Sequence, residues 1–147
     1  MTFGGESGTV SLFYGRGLAG WAGKEAEPMK MGEPGRTIRL GIVGVSGRGI
    51  GQMKTLLTMP DVRIAAVCDV YPDRVERARE IVKAAHGEAP DGLLDYRDLN
   101  RRDDLEAVVV MSSWTTHIRI AVDALQCGKR VAMEVGGAAS VEECWQL

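Results

Sequence analysis

The chain has 147 residues, 45% of them hydrophobic and 26% charged, with a formal net charge of −2. That balance is too apolar for a disordered polymer, offers no cationic excess to neutralise a nucleic-acid backbone, and contains no apolar run of the roughly 18 residues that cross a bilayer. Three cysteines without C-x-x-C spacing and only two histidines argue against a disulfide framework or a zinc site. The expectation is a cytoplasmic globular protein with no metal, no membrane and no nucleic acid as partner.

Nine of the 19 glycines fall in residues 1–37. Residues 1–36 show no sustained helical or strand period and read as a flexible glycine-rich tail. The start has no basic residues, and Gly15, Gly17 and Gly20 interrupt the apolar stretch, so it is not a secretory signal. Met1, Met29 and Met31 are all candidate starts.

The period changes at Thr37. Ile38, Leu40 and Ile42 alternate and Val43 follows, which predicts a strand. The glycine cluster Gly44 to Gly51 comes next, then a helix with Ile50, Met53, Leu56 and Leu57 on one face, stopped by Pro60. Val62 to Val67 predicts a second strand, ended by Cys68 and Asp69. Pro72 suits the first turn of a helix, whose stripe is Val75, Ala78, Ile81, Val82 and Ala85. Gly87 supplies the left-handed cap.

Leu93 to Tyr96 reads as a short third strand, and Arg97 to Leu105 as a short helix or turns. Ala107 to Met111 is the most strand-like run in the chain. After polar residues 112–116 a helix is predicted on Ile118, Ala121, Val122 and Leu125. Val131 to Met133 is a fifth strand. Ser140 and Glu143 have the spacing of a capping box and predict a last helix, about eight residues long before Leu147. Strands alternating with helices give an α/β fold, a Rossmann-type doubly wound parallel sheet. The short last helix makes residues 37–147 read as a Rossmann domain truncated at its C-terminus; that it is a dinucleotide-binding domain with the substrate domain absent is what the loop after the first strand and a family resemblance imply.

The loop between first strand and first helix carries the chemistry. Free backbone amides at a helix start bind anions, and glycines let the ligand approach. Gly44-Val45-Ser46-Gly47-Arg48-Gly49 matches G-x-G-x-x-G with serine at the middle glycine. A positive φ at Ser46 would be strained. A Walker A loop fails because Ile50 stands where its lysine belongs. Asp69 ends the second strand 20 residues after Gly49, where a carboxylate accepts from ribose hydroxyls and repels a 2′-phosphate. NAD is therefore expected over NADP, with Arg74 nearby working the other way.

Arg39 to Gly49, the Ala66-Val67-Cys68-Asp69 strand end, Ala107 to Met111 with His117 downstream, and Ala124 to Glu134 together resemble the Gfo/Idh/MocA oxidoreductase family over about residues 37–147. The resemblance implies hydride transfer between a nicotinamide cofactor and a sugar-like or cyclitol substrate. It also implies a second domain that binds the small-molecule substrate, a homo-oligomeric parent, and no catalysis by this chain alone. It places Ser112, Ser113, His117 and Glu134 on the cofactor side. The family's Glu-Lys-Pro after the fifth strand reads Glu134-Val135-Gly136 here. Its Thr-Pro-Asn-x-x-His reads Ser112-Ser113-Trp114-Thr115-Thr116-His117. Two readings stand for His117, a capping or surface histidine and a cofactor-side one, and two for Trp114, nicotinamide stacking and packing. No catalytic residue is assigned. The alternatives are a non-catalytic nucleotide-binding or degenerate module, and an NAD-assisted glycoside hydrolase relative.

Overall fold

The computed structural model describes residues 36–147. The tail and its candidate starts lie outside the described residues.

Five parallel strands form one sheet in the order β3-β2-β1-β4-β5: β1 Ile38–Val43, β2 Val62–Cys68, β3 Asp91–Leu93, β4 Ala107–Val110 and β5 Arg130–Met133. The helices are α1 Gly47–Leu56, α2 Pro72–His86, α3 Tyr96–Asn100, α4 His117–Gln126 and α5 Val141–Cys144.

Side chains alternate across a strand, so β1, β2 and β4 each feed two cores. Leu40, Ile42, Ile64, Val67 and Val109 pack with Ile50, Met53, Val75 and Val82 from α1 and α2. Val43, Ala66, Cys68, Val108 and Val110 pack with Tyr96, Leu99, Ile120 and Ala124 from α3 and α4. The register of β2 against β1 shifts between Leu40 and Gly41, where Ile64 and then Ala66 are the partners. That shift explains why Ile64 and Val67, three apart, share a face. Burial on both faces is what makes these strands read as continuous apolar runs.

Two local expectations are corrected. The third strand is Asp91–Leu93, ahead of the expected Leu93–Tyr96. Asp95 caps α3 by accepting the Arg97 amide at 2.8 Å, and Tyr96 is already helical. Cap chemistry overrode the apolar pattern. The capping box of α5 forms in altered shape: the Ser140 hydroxyl accepts the Glu143 amide at 3.2 Å, while the Glu143 carboxylate accepts from Ala139 instead of Ser140.

Candidate nucleotide-binding site

The loop after β1 is shaped by two of its glycines. Gly44 turns with φ +92°, and a Cβ there would sit 2.5 Å from the Met111 carbonyl oxygen at the end of β4. A Cβ on Gly49 would sit 2.0 Å from the Gly44 oxygen, because the first turn of α1 crosses directly over the loop. Only glycine fits either place. The middle position asks for nothing of the kind. Ser46 is the N-cap of α1 with φ −90° and ψ −167°, ordinary extended backbone. The strain foreseen for a serine there does not arise.

Gly44 donates to the Cys68 carbonyl at 2.8 Å, and the Val45 amide donates to Asp69 Oδ2 at 3.0 Å. Among the described residues the amides of Ser46, Gly47, Arg48 and Gly49 have no acceptor, and Ser46 offers no side-chain cap. These are the unsatisfied donors of a helix N-terminus, carrying its partial positive charge. Ser46, Gly47 and Arg48 are exposed.

Asp69 is buried, 7% exposed, at the end of β2. Its Oδ1 accepts the Tyr71 amide at 3.2 Å and lies 3.6 Å from the Arg74 guanidinium. A carboxylate has about four acceptor sites, so two amides and one cation leave capacity for ribose hydroxyls. The Arg74 guanidinium also stacks 4.2 Å from the centre of the Tyr71 ring. Burial and the neighbouring Asp69 charge push the Cys68 thiol up to about 12.

A cleft of about 700 Å³ opens at the carboxyl ends of β1, β2 and β4. Gly44, Ser46, Asp69, Ser112 and Ser113 line it, joined by Tyr71, Arg74, Leu94, Tyr96 and Arg119. Tyr71, Leu94, Tyr96 and Arg119 were missed in the sequence. Their shared signal is position, at the start of a helix or the end of a strand on the side where open α/β sheets bind ligands.

Glu134 stands at the rim instead. Its Oε1 accepts from Arg48 Nε at 2.9 Å and Gln52 Nε2 at 3.0 Å, and its Oε2 from the Val135 amide at 3.2 Å. The Arg48 and Gln52 hydrogen bonds hold its carboxyl below the ordinary value. It ties the end of β5 to the start of α1. His117 lies beneath the cleft wall, 1% exposed. Trp114, 69% exposed, lays its indole on Gly136, whose φ is +84°. A Cβ at Gly136 would meet the indole at 2.7 Å, so this seat for the tryptophan requires glycine at 136.

The site suits a dinucleotide. It has unsatisfied first-turn amides, two approaches that only glycine permits, a carboxylate beside them and enough open volume. Among the described residues no cluster of three or more His, Cys, Asp or Glu side chains could hold a metal ion. No helix of the described residues is long and apolar enough to cross a membrane.

The profile of the oxidoreductase family with the NAD-binding Rossmann fold, Gfo/Idh/MocA, matches residues 38–147. This chain belongs to that family. It is 36% identical over 121 residues to a glycosyl hydrolase family 109 protein of Solibacter usitatus, covering 78% of this chain and 28% of the relative. It is 34% identical over 113 residues to an α-N-acetylgalactosaminidase of Bacteroides fragilis, covering 75% and 27%. The chain thus spans about a quarter of the length of these curated relatives. Among solved structures, scyllo-inositol dehydrogenase from Lactobacillus casei with NAD(H) and scyllo-inositol superposes with a TM-score of 0.67 at 24% identity, over 74% of this chain and 31% of that one. A 3-ketoreductase from Actinomadura kijaniata with NADP and TDP-benzene gives 0.67 at 23%, over 76% and 33%. At those identities the likeness is one of fold.

Proposed function

We propose that this chain is the nicotinamide-dinucleotide-binding part of an enzyme acting on sugar-like or cyclitol substrates. The observation that carries this reading is the row of unpartnered amides from Ser46 to Gly49 beside the buried Asp69 carboxylate. The amides receive the pyrophosphate, and the α1 dipole adds to them. Asp69 accepts from the adenosine ribose hydroxyls. Its charge disfavours a 2′-phosphate, so NAD is preferred, and Arg74 moderates that preference. Ser112 and Ser113 line the cleft, and Glu134 keeps Arg48 beside the loop. When bound, the cofactor supplies hydride transfer. This chain's part is to bind and orient it, and turnover belongs to the whole enzyme with its substrate-binding residues.

NADH fluorescence titration tests the assignment. Asp69→Ala is expected to weaken binding about tenfold, the scale of hydrogen bonds to a charged group. Undiminished affinity overturns the ribose contact.

A second reading, glycoside hydrolysis assisted by the cofactor, is favoured by the glycosyl hydrolase relatives and by Val135, which stands where the family resemblance puts a lysine. The polypeptide as the cell makes it discriminates. Release of nitrophenol from nitrophenyl α-N-acetylgalactosaminide supports hydrolysis, and cyclitol-dependent reduction of NAD supports a dehydrogenase.

A further inference from the structure

His117 is the first residue of α4, yet its side chain is 1% exposed and is not part of the cleft wall. Its Nε2 lies 2.9 Å from the Ser112 carbonyl oxygen. A carbonyl only accepts, so Nε2 carries the proton and donates. The buried Nδ1 has no partner among the described residues. The ring's one hydrogen bond is thus spent on the backbone of the loop that follows β4.

That loop otherwise closes largely on itself. The Thr116 hydroxyl is 2.8 Å from Ser112 Oγ and 2.9 Å from the Ser113 carbonyl, and the Thr116 amide donates to the same carbonyl at 2.9 Å. Such a hydroxyl network fixes the turn internally but not against the sheet. The His117 ring supplies an anchor from the buried start of α4. Ser112 and Ser113, the residues so aimed, line the cleft.

The strand order says which part of a ligand they meet. β1 lies between β2 and β4. With the adenosine ribose on Asp69 at β2 and the pyrophosphate on the β1–α1 loop, the chain of the dinucleotide runs on toward β4. We propose that His117 is a positioning residue: its buried Nε2–H holds the Ser112 carbonyl and thereby sets the Ser112–Ser113 turn that receives the nicotinamide half of the dinucleotide. The proposal rests on the nucleotide-binding reading given above.

Three variants of the full chain test it, each titrated with NADH and with AMP. His117→Gln places an amide N–H at nearly the reach of Nε2. His117→Asn is polar but too short, and His117→Leu has no donor. The Leu and Asn variants are expected to bind NADH about fivefold more weakly, the scale of one lost hydrogen bond. The Gln variant stays within about twofold of the parent, and all three bind AMP within about twofold of it. A merely structural role lowers both ligands together. Parent-like NADH affinity in the Leu and Asn variants overturns the proposal. So does a parallel loss of AMP and NADH affinity in the Leu and Asn variants, whether or not glutamine rescues it. A parent chain that binds neither ligand overturns the nucleotide reading itself and this proposal with it.

Discussion

The Val45 amide donates to the Asp69 carboxylate at 3.0 Å across 24 residues of sequence. The loop after β1 and the carboxylate at the end of β2 are therefore one bonded unit, not two neighbours. In the proposed reading, fixing one end of the dinucleotide orients the other, which is the preorganisation that makes a small polar site bind well. The Tyr71 amide on Asp69 Oδ1 extends the unit into the start of α2.

The glycines of the loop differ in what they tolerate. A Cβ on Gly49 meets backbone at 2.0 Å, whereas one on Gly47 meets nothing within 4 Å. Gly49→Ala is expected to cost about 3 kcal/mol or more, an overpacking clash that backbone cannot relieve cheaply. Gly47→Ala stays within about 0.5 kcal/mol of the parent. Urea unfolding of the two variants checks both, and equal stability of the two contradicts the loop geometry.

Trp114 depends on Gly136. Gly136→Ala places a methyl group 2.7 Å from the indole and forces a side chain into a left-handed conformation at φ +84°. The strain is about 1–3 kcal/mol. Displacement of the indole is expected to shift the tryptophan emission, read in a chain whose Trp21 and Trp145 are replaced by Phe. An unchanged spectrum contradicts the contact.

Acid stability has a named source. Hydrogen bonds from Arg102 and Arg39 hold the Asp104 carboxyl far below its ordinary value of 3.8. A depressed folded-state value means that the charged form favours the native state. Its contribution is complete above the ordinary value and fades as pH falls below 3.8 toward the folded value. Asp104→Asn is expected to lower the urea midpoint at pH 7 and to shrink its fall between neutral pH and about pH 3. A fall as steep as the parent's contradicts this origin.

The three thiols are expected to separate by reactivity. Cys127 and Cys144 are exposed, while Cys68 is buried with its thiol pushed up to about 12. Thiolate is the reacting species. At pH 8 iodoacetamide adds twice to the folded chain and a third time only after denaturation. A third adduct forming at the rate of the exposed pair contradicts the burial of Cys68.

The sheet was largely legible because buried parallel strands write themselves as apolar runs, and β1, β2, β4 and β5 were placed within a residue or two of where they lie. β3 was not, because the cap at Asp95 decides where that strand must end. Gly44, Gly49 and Asp69 were singled out by spacing, and Asp69 does lie against the loop. Three relations were invisible because they depend on how the backbone turns, two across distant parts of the chain and one between residues five apart after β4. These are the Val45–Asp69 hydrogen bond, the indole of Trp114 on Gly136, and the His117 ring turned inward onto Ser112. A serine in place of the middle glycine looked strained only because φ cannot be read from residue type. The backbone there is extended and accepts it.

The most direct measurement is an amide-resolved ¹H–¹⁵N NMR titration of the chain with NADH. The account requires the largest shifts at Ser46, Gly47, Arg48 and Gly49, with Asp69 and Tyr71 responding at the same ligand concentration. If those amides stay still while NADH binds and perturbs another face, the pyrophosphate is not held at the start of α1 and the central assignment is wrong.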